Sequence, residues 1–206
     1  MKNKQIDFWR GEFGDAYLGR NAAEDDAINN RKAMWRTLLA ATDVPLTSIL
    51  EVGSNIGLNL RALHDLVTAD LYAVEPNATA RAELAASDVL APDHIFDSTA
   101  QQLPFSDEKF DLVFTSGVLI HIAPTDLLTS CREIHRVSGQ FIACAEYFNP
   151  KPVEIPYHGH AGVLFKRDFG AFWLDNFSDL ALVDYGFFWK RETGLDDLTW
   201  WIFRKA

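Results

Sequence analysis

Cysteine is scarce in this chain. Of 206 residues only Cys131 and Cys144 are cysteines, and both lie in apolar stretches. They read as reduced core residues, and no disulfide framework is expected. No run of about 18 apolar residues occurs, so no membrane-spanning helix is expected. The opening MKNKQIDFWRGEFGD lacks the apolar stretch of a secretory signal. These absences predict a cytoplasmic protein. Basic residues are also few: 19 Lys and Arg stand against 29 Asp and Glu, a formal net charge of −10. Such a chain repels phosphate backbones unless it has a local basic patch. The densest cluster is only Lys190-Arg191 with Arg204-Lys205. Nucleic acid and membrane are therefore not expected as partners, and a small-molecule substrate is. His158 and His160 flank Gly159 with no cysteine pair to complete a zinc set, so no metal is expected.

What the chain does have is alternation. The first 30 residues read as irregular and aromatic-rich, and a helix follows over Asp25–Leu39. Apolar strands ending at Glu51, at Glu75, near Asp97 and at Ser116 then alternate with helices over 58–67, 78–87 and 125–136. A further apolar strand covers Gln140–Phe148. Strands that alternate with helices imply a parallel sheet covered on both faces. The NPKPVEIPYHGH stretch reads as a proline-rich loop. A helix near 167–176 and strands near 180–190 and 198–204 close the chain. Of 26 aromatics, 15 lie between Tyr147 and Phe203, either as packing or as walls for a cation.

Three segments carry chemistry. In ILEVGSNIG an apolar strand runs into Glu51, then Gly53, Ser54, Asn55 and Gly57. Glycines there let backbone amides approach a ligand. A dinucleotide site would need glycines at Asn55 and Leu58, because its middle glycine serves a pyrophosphate. The relaxed spacing after an acid fits S-adenosylmethionine, which has no phosphate. In LYAVEPN, Glu75 ends the next strand before Pro76, where a carboxylate can accept both ribose hydroxyls. The third segment is STAQQLPFSDEKFDLVFTSGVLIHIAP. It resembles the class I methyltransferase pattern, in which a loop contacts adenine and an "LPF…FDLV…VL-H" stretch forms the fourth strand and the helix after it. The family's usual acid is replaced by Thr99, so adenine contact is expected from Ser98, Thr99 or a backbone carbonyl.

The resemblance to class I methyltransferases spans about residues 45 to 150. It implies a Rossmann-like α/β fold: a seven-stranded, mostly parallel sheet with an antiparallel last strand and helices on both faces. Four further stretches, FWRGEFGDAYLGRN, EYFNPKPV, LFKRDFG and DYGFFW, resemble the pseudaminic acid biosynthesis-associated methylases. That group is similar in turn to enzymes that cyclise S-adenosylmethionine to azetidine-2-carboxylate.

The expectation is one S-adenosylmethionine-binding domain over 1–206, with a lid over 1–30 and a substrate-side loop and helix over 149–178. The cofactor residues would be Trp9, Tyr17, Arg20, Glu51, Gly53, Ser54, Asn55, Gly57, Glu75, Pro76, Ser98, Thr99 and Ser116. The catalytic candidates are His121, Tyr147, Asn149, Tyr157 and Tyr185. The leading activity is methyl transfer to a small polar metabolite bearing an amine or hydroxyl, such as an amino or nonulosonic sugar. An alternative is a cyclase, in which the ligand's own amine attacks its γ-carbon and methylthioadenosine leaves. A second alternative is a non-catalytic cofactor-binding subunit.

Overall fold

The computed structural model describes residues 4–19 and 23–206. Its sheet begins in the middle. Strand β1 (Ser48–Val52) leads through a glycine turn into a helix over Leu58–His64 and on to β2 (Asp70–Val74). A helix over Ala78–Ala85 and the two-residue β3 (Ile95–Phe96) carry the chain to one edge. It then returns to β4 (Phe110–Ser116) on the other side of β1, crosses by a helix over Pro124–Val137, and reaches β5 (Ser138–Glu146). The order is β3-β2-β1-β4-β5, followed by the last strand (Leu198–Lys205) and then the one before it (Leu180–Phe188). The first five strands run parallel, and the last strand is antiparallel to both its neighbours. This is the expected Rossmann-like arrangement. The order reverses between β1 and β4, so a crevice opens at their carboxyl ends, where open α/β sheets bind ligands.

Both faces are covered. Along β4 the side chains alternate: Leu112 and Phe114 join a core with Trp35 and Leu60, while Val113 joins another with Ile134 and Trp173. Cys131 and Cys144 are free and buried in the second core. Burial raises both thiols above the usual range. Among the described residues no helix is long and apolar enough to cross a membrane.

Two expectations need correction. The described part of the first 30 residues is not irregular: it forms two short helices, Lys4–Arg10 and Glu12–Leu18. Their first turns carry Asp7, Glu12 and Asp15, which suit a helix amino end. The proline-rich loop holds a small ribbon of Val153–Glu154 against Phe165–Lys166, held by backbone bonding that periodicity does not reveal in so short a run. The helix after it spans Phe169–Asn176, starting at Asp168, whose carboxylate caps the Ala171 N–H. The strand over Leu180–Phe188 is the sheet's open edge, so Leu182, Val183, Tyr185 and Phe187 are exposed.

Candidate active site

The cavity opens over the turn after β1. Gly53, Asn55 and Gly57 all have positive φ, at 78°, 50° and 75°. Each glycine has its own reason. A Cβ on Gly53 would lie 2.6 Å from Val118, and one on Gly57 would lie 2.4 Å from Leu84. Gly57 therefore serves helix packing and does not border the cavity, contrary to its expected contact with a ligand. Glu51, Gly53, Ser54, Asn55, Glu75, Pro76, Ser98, Thr99 and Ser116 do border it, with Trp9 and Tyr17 above them. Arg20 lies outside the described residues.

Glu75 is 8% exposed. Its two oxygens accept the N–H groups of Asn55 and Asn77, each at 2.8 Å. Burial nevertheless raises its carboxyl above the usual range. Each oxygen keeps a free lone pair, enough for two hydroxyl donors. Glu51 is pushed to about 8 by burial, against the amide of Asn59 at 2.7 Å and the charge of Arg31. Buried polar atoms around the cavity make no hydrogen bond, among them Glu51 Oε2, Ser54 Oγ, Asn55 Oδ1 and Trp9 Nε1. Buried polar atoms are normally satisfied, so a cluster that converges on one cavity marks a polar ligand. The expected shift of the adenine acid is also explained. Asp97 turns outward to ion pairs with Arg10 and Arg81, at 2.8 and 3.0 Å, leaving Ser98 and Thr99 at the wall.

The two N-terminal helices roof this cavity. Asn77 donates its amide to the Trp9 carbonyl at 3.1 Å and to Asp15 at 3.0 Å, and Ala123 N–H donates to Gln5 Oε1 at 2.7 Å. Gly14 permits the approach, since a Cβ there would meet the Trp9 carbonyl and the Asn77 amide. The aromatics interlock beneath: Trp9 lies edge-on to Phe13 and Tyr17 at 5.4 and 5.5 Å and touches His121 at 4.6 Å. His160 packs against Phe8 and Phe13 in the same cluster.

A second chamber adjoins the first. Tyr17, Arg31, Asn59, Ser116 and His121 border both, and Tyr147, Tyr157, Leu195 and Asp196 complete it. His121 Nδ1 lies 2.7 Å from the Val163 carbonyl and so carries the hydrogen, leaving the Nε2 lone pair open. Burial lowers its pKa to about 4, so the ring is neutral at physiological pH. Tyr147 donates to Asp196 at 2.8 Å. Two catalytic candidates fall elsewhere. Asn149 borders neither chamber; its amide donates to the Lys151 carbonyl at 2.6 Å. Tyr185 is 64% exposed on the open edge strand and borders neither chamber.

Several residues here were not picked out from sequence. Arg31 and Asn59 reach the site only because their two helices pack together. Asp196 sits in the turn before the last strand. Glu146 ends β5 fully buried and accepts from the Thr115 hydroxyl and from the N–H groups of Val118, Leu119 and Ile120. It thereby fixes the loop that carries Val118 and His121. An acid closing the run FIACAE was a visible signal.

Residues 50–143 match the family model of a methyltransferase domain. The whole fold is that of solved methyltransferases. The 1,6-didemethyltoxoflavin N1-methyltransferase of Burkholderia thailandensis, solved with that compound and S-adenosylhomocysteine, gives a TM-score of 0.74 at 17% identity. The alignment covers 98% of this chain and 89% of that one. Magnesium protoporphyrin IX methyltransferase of Synechocystis PCC 6803, with bound S-adenosylmethionine, gives 0.71 at 12% identity over 100% of this chain and 99% of its own. A putative methyltransferase of Haloferax volcanii, in complex with the Trm112 methyltransferase activator, gives 0.71 at 17% identity, over 96% and 97% of the two chains. No curated protein sequence matches the chain. Residues 50–143 thus match a methyltransferase domain, and the fold is shared with these solved methyltransferases. S-adenosylmethionine is the methyl donor of such domains. The open carboxylate lone pairs of Glu75 and the unsatisfied cluster around Glu51, Ser54 and Asn55 fit its hydroxyls and ammonium.

Proposed function

We propose that this protein transfers a methyl group from S-adenosylmethionine to an amine or hydroxyl of a small polar metabolite, an amino or nonulosonic sugar being one such acceptor. One observation carries the reading: two chambers meet at His121, whose Nε2 is open and neutral. The first has the donor set for an adenosyl-amino acid, and the second leaves room for an acceptor. Glu75 holds the ribose, Ser98 and Thr99 border adenine, and Glu51 faces the methionine ammonium. When bound, the cofactor supplies an electrophilic methyl carbon. His121 Nε2 accepts a hydrogen bond from the acceptor and orients its lone pair. Alignment of this kind provides most of the rate in such transfers. The N-terminal helices act as a lid that excludes water.

Mass spectrometry of the nucleoside product tests the activity. S-adenosylhomocysteine, formed only when an acceptor is present, is the expected result. Methylthioadenosine from S-adenosylmethionine alone would sink this reading and establish the cyclase. The lid is tested by hydrogen exchange: protection of residues 5–18 should rise with S-adenosylhomocysteine bound, and equal protection in both states would make them a fixed roof.

A further inference from the structure

The second chamber contains a cation that forms no ion pair among the described residues. Arg31 is half-buried and borders both chambers. Its Nη1 donates to the Ala27 carbonyl at 3.1 Å, and none of the ion pairs among the described residues includes it. Burial lowers its pKa, which marks it as poorly solvated. Two acids, Glu51 and Asp196, act on it through space, and neither forms an ion pair with it. Asp196 is engaged by Lys190 at 3.0 Å and by Tyr147 at 2.8 Å. Glu51, pushed to about 8, is mostly protonated at neutral pH. A half-buried guanidinium without a carboxylate partner carries a desolvation penalty that a planar anion would relieve through paired hydrogen bonds.

The rest of the chamber favours hydrogen-bond donors. His121 offers only the Nε2 lone pair, and Asp196 is an acceptor. Tyr17 and Tyr157 add ring faces that tolerate positive charge.

We propose that the second chamber receives a small amine that also carries a carboxylate, with the carboxylate on Arg31 and the nucleophilic nitrogen against His121 Nε2. This assignment rests on the methyl-transfer reading. The neutral amine forms the new N–C bond with its lone pair. The C–S bond breaks and leaves its electron pair on sulfur, giving a neutral thioether, and the methylated ammonium releases a proton to water. Carboxylate is the shared chemistry of two possible occupants of Arg31, the acceptor and the cofactor's own methionine end, and the experiment separates them.

The full chain, saturated with S-adenosylhomocysteine, is screened by saturation-transfer NMR against α-amino acids, β-amino acids and amino-sugar acids, each beside its amide. The acids should bind and the matched amides should bind roughly 10- to 100-fold more weakly, the scale of a hydrogen bond to a charged group. Arg31→Gln should abolish this preference while its S-adenosylhomocysteine affinity stays within about twofold, which also shows that the variant is folded. Absence of any binding acid, or equal binding of acids and amides, would overturn the proposal and leave methyl transfer standing. An Arg31→Gln variant that loses S-adenosylhomocysteine yet keeps the acid preference would also overturn it, by giving Arg31 to the cofactor. Methylthioadenosine formation without S-adenosylhomocysteine in the presence of every binding acid would instead overturn the underlying reading.

Discussion

The two chambers are built on opposite plans. Around the cofactor cavity, polar atoms are buried and left open: Glu51 Oε2, Ser54 Oγ and Asn55 Oδ1 have no hydrogen-bond partner, and all three sit at the end of β1 or in the turn after it. In the second chamber most polar groups are already engaged, Tyr147 with Asp196, Asp196 with Lys190, and His121 Nδ1 with the Val163 carbonyl, which leaves Arg31 and His121 Nε2 to meet a ligand. Its outer wall comes from turns, with His158, Gly159 and Gly194 at positive φ near Tyr157 and Leu195. A site of the first kind is preorganised for one unchanging ligand. A site of the second kind leaves recognition to very few groups, so an acceptor can differ without any change to the sheet.

The sharpest way to break this contrast is at Gly53. Gly53→Val adds a β-branched side chain at a φ of 78°, with its Cβ 2.6 Å from Val118. Backbone strain and overpacking together should cost about 2–4 kcal/mol of stability. Urea denaturation measures this, and calorimetry should find no S-adenosylmethionine binding. The damage arises through Val118 and the loop held by Glu146, not through direct intrusion on the ligand. A variant with wild-type stability would show that the loop moves aside freely. Glu75→Ala comes next. It removes two acceptor oxygens and leaves the Asn55 and Asn77 N–H groups unpaired, and it should weaken S-adenosylmethionine by about 1.5–3 kcal/mol. Unchanged affinity in calorimetry would take Glu75 out of the ribose role.

The same contrast explains what was legible. Glu51, Gly53 and Glu75 declare themselves because each lies at or just after the end of a strand, where the spacing of a strand-to-helix turn encodes geometry. The sheet followed from β4 and β5 in the same way, since runs such as DLVFTS and FIACA match strands buried on both faces. The second chamber is assembled across large separations: Arg31 with Asp196, and His121 with Val163. No local pattern records such pairings. Asn149 and Tyr185 fall outside the site for one reason. Proximity to a strand's carboxyl end does not guarantee proximity to the crevice: Asn149 turns to Lys151, and Tyr185 lies on the open edge. Gly57 shows a subtler limit, because the turn is needed but its close neighbour is Leu84.

Glu51 sharpens the comparison through pH. Its pKa in the folded chain is about 8, raised by burial from the ordinary value of 4.5. The stability linked to its protonation is therefore fully present below about pH 4.5 and is lost as pH rises through about 8. Glu51→Gln removes that loss, so the unliganded variant should be more stable than wild type at pH 8.5, by on the order of 2 kcal/mol. It should be little different at pH 4.5. Binding should move the other way. A ligand ammonium favours the ionised carboxylate, so S-adenosylmethionine uptake at pH 7 should release a proton in the wild type and less in the variant. Calorimetry in buffers of different ionisation enthalpy reads this directly. Equal proton release in both would show that the ammonium lies away from Glu51.

Tyr147→Phe probes the other plan and should have the smallest effect. The ring stays, with Lys166 still 4.9 Å above it, and only the bond to Asp196 is lost. Lys190 remains to hold Asp196, so the chamber keeps its shape and charge. The cost to stability should be about 1 kcal/mol, the value of one partly exposed hydrogen bond. Affinity for S-adenosylmethionine should not change, because Tyr147 borders only the second chamber. What should change is the acceptor side. Asp196 loses one of its two side-chain hydrogen bonds, and the freed oxygen becomes available to an acceptor donor or to Arg31. Acceptor KM should therefore shift by a few-fold while kcat stays near wild type, the pattern for a lost interaction that acts equally on ground and transition states. A fall in kcat with KM unchanged would put the Tyr147 hydroxyl in contact with the reacting atoms, and the second chamber would then be tied to one chemistry no less than the first.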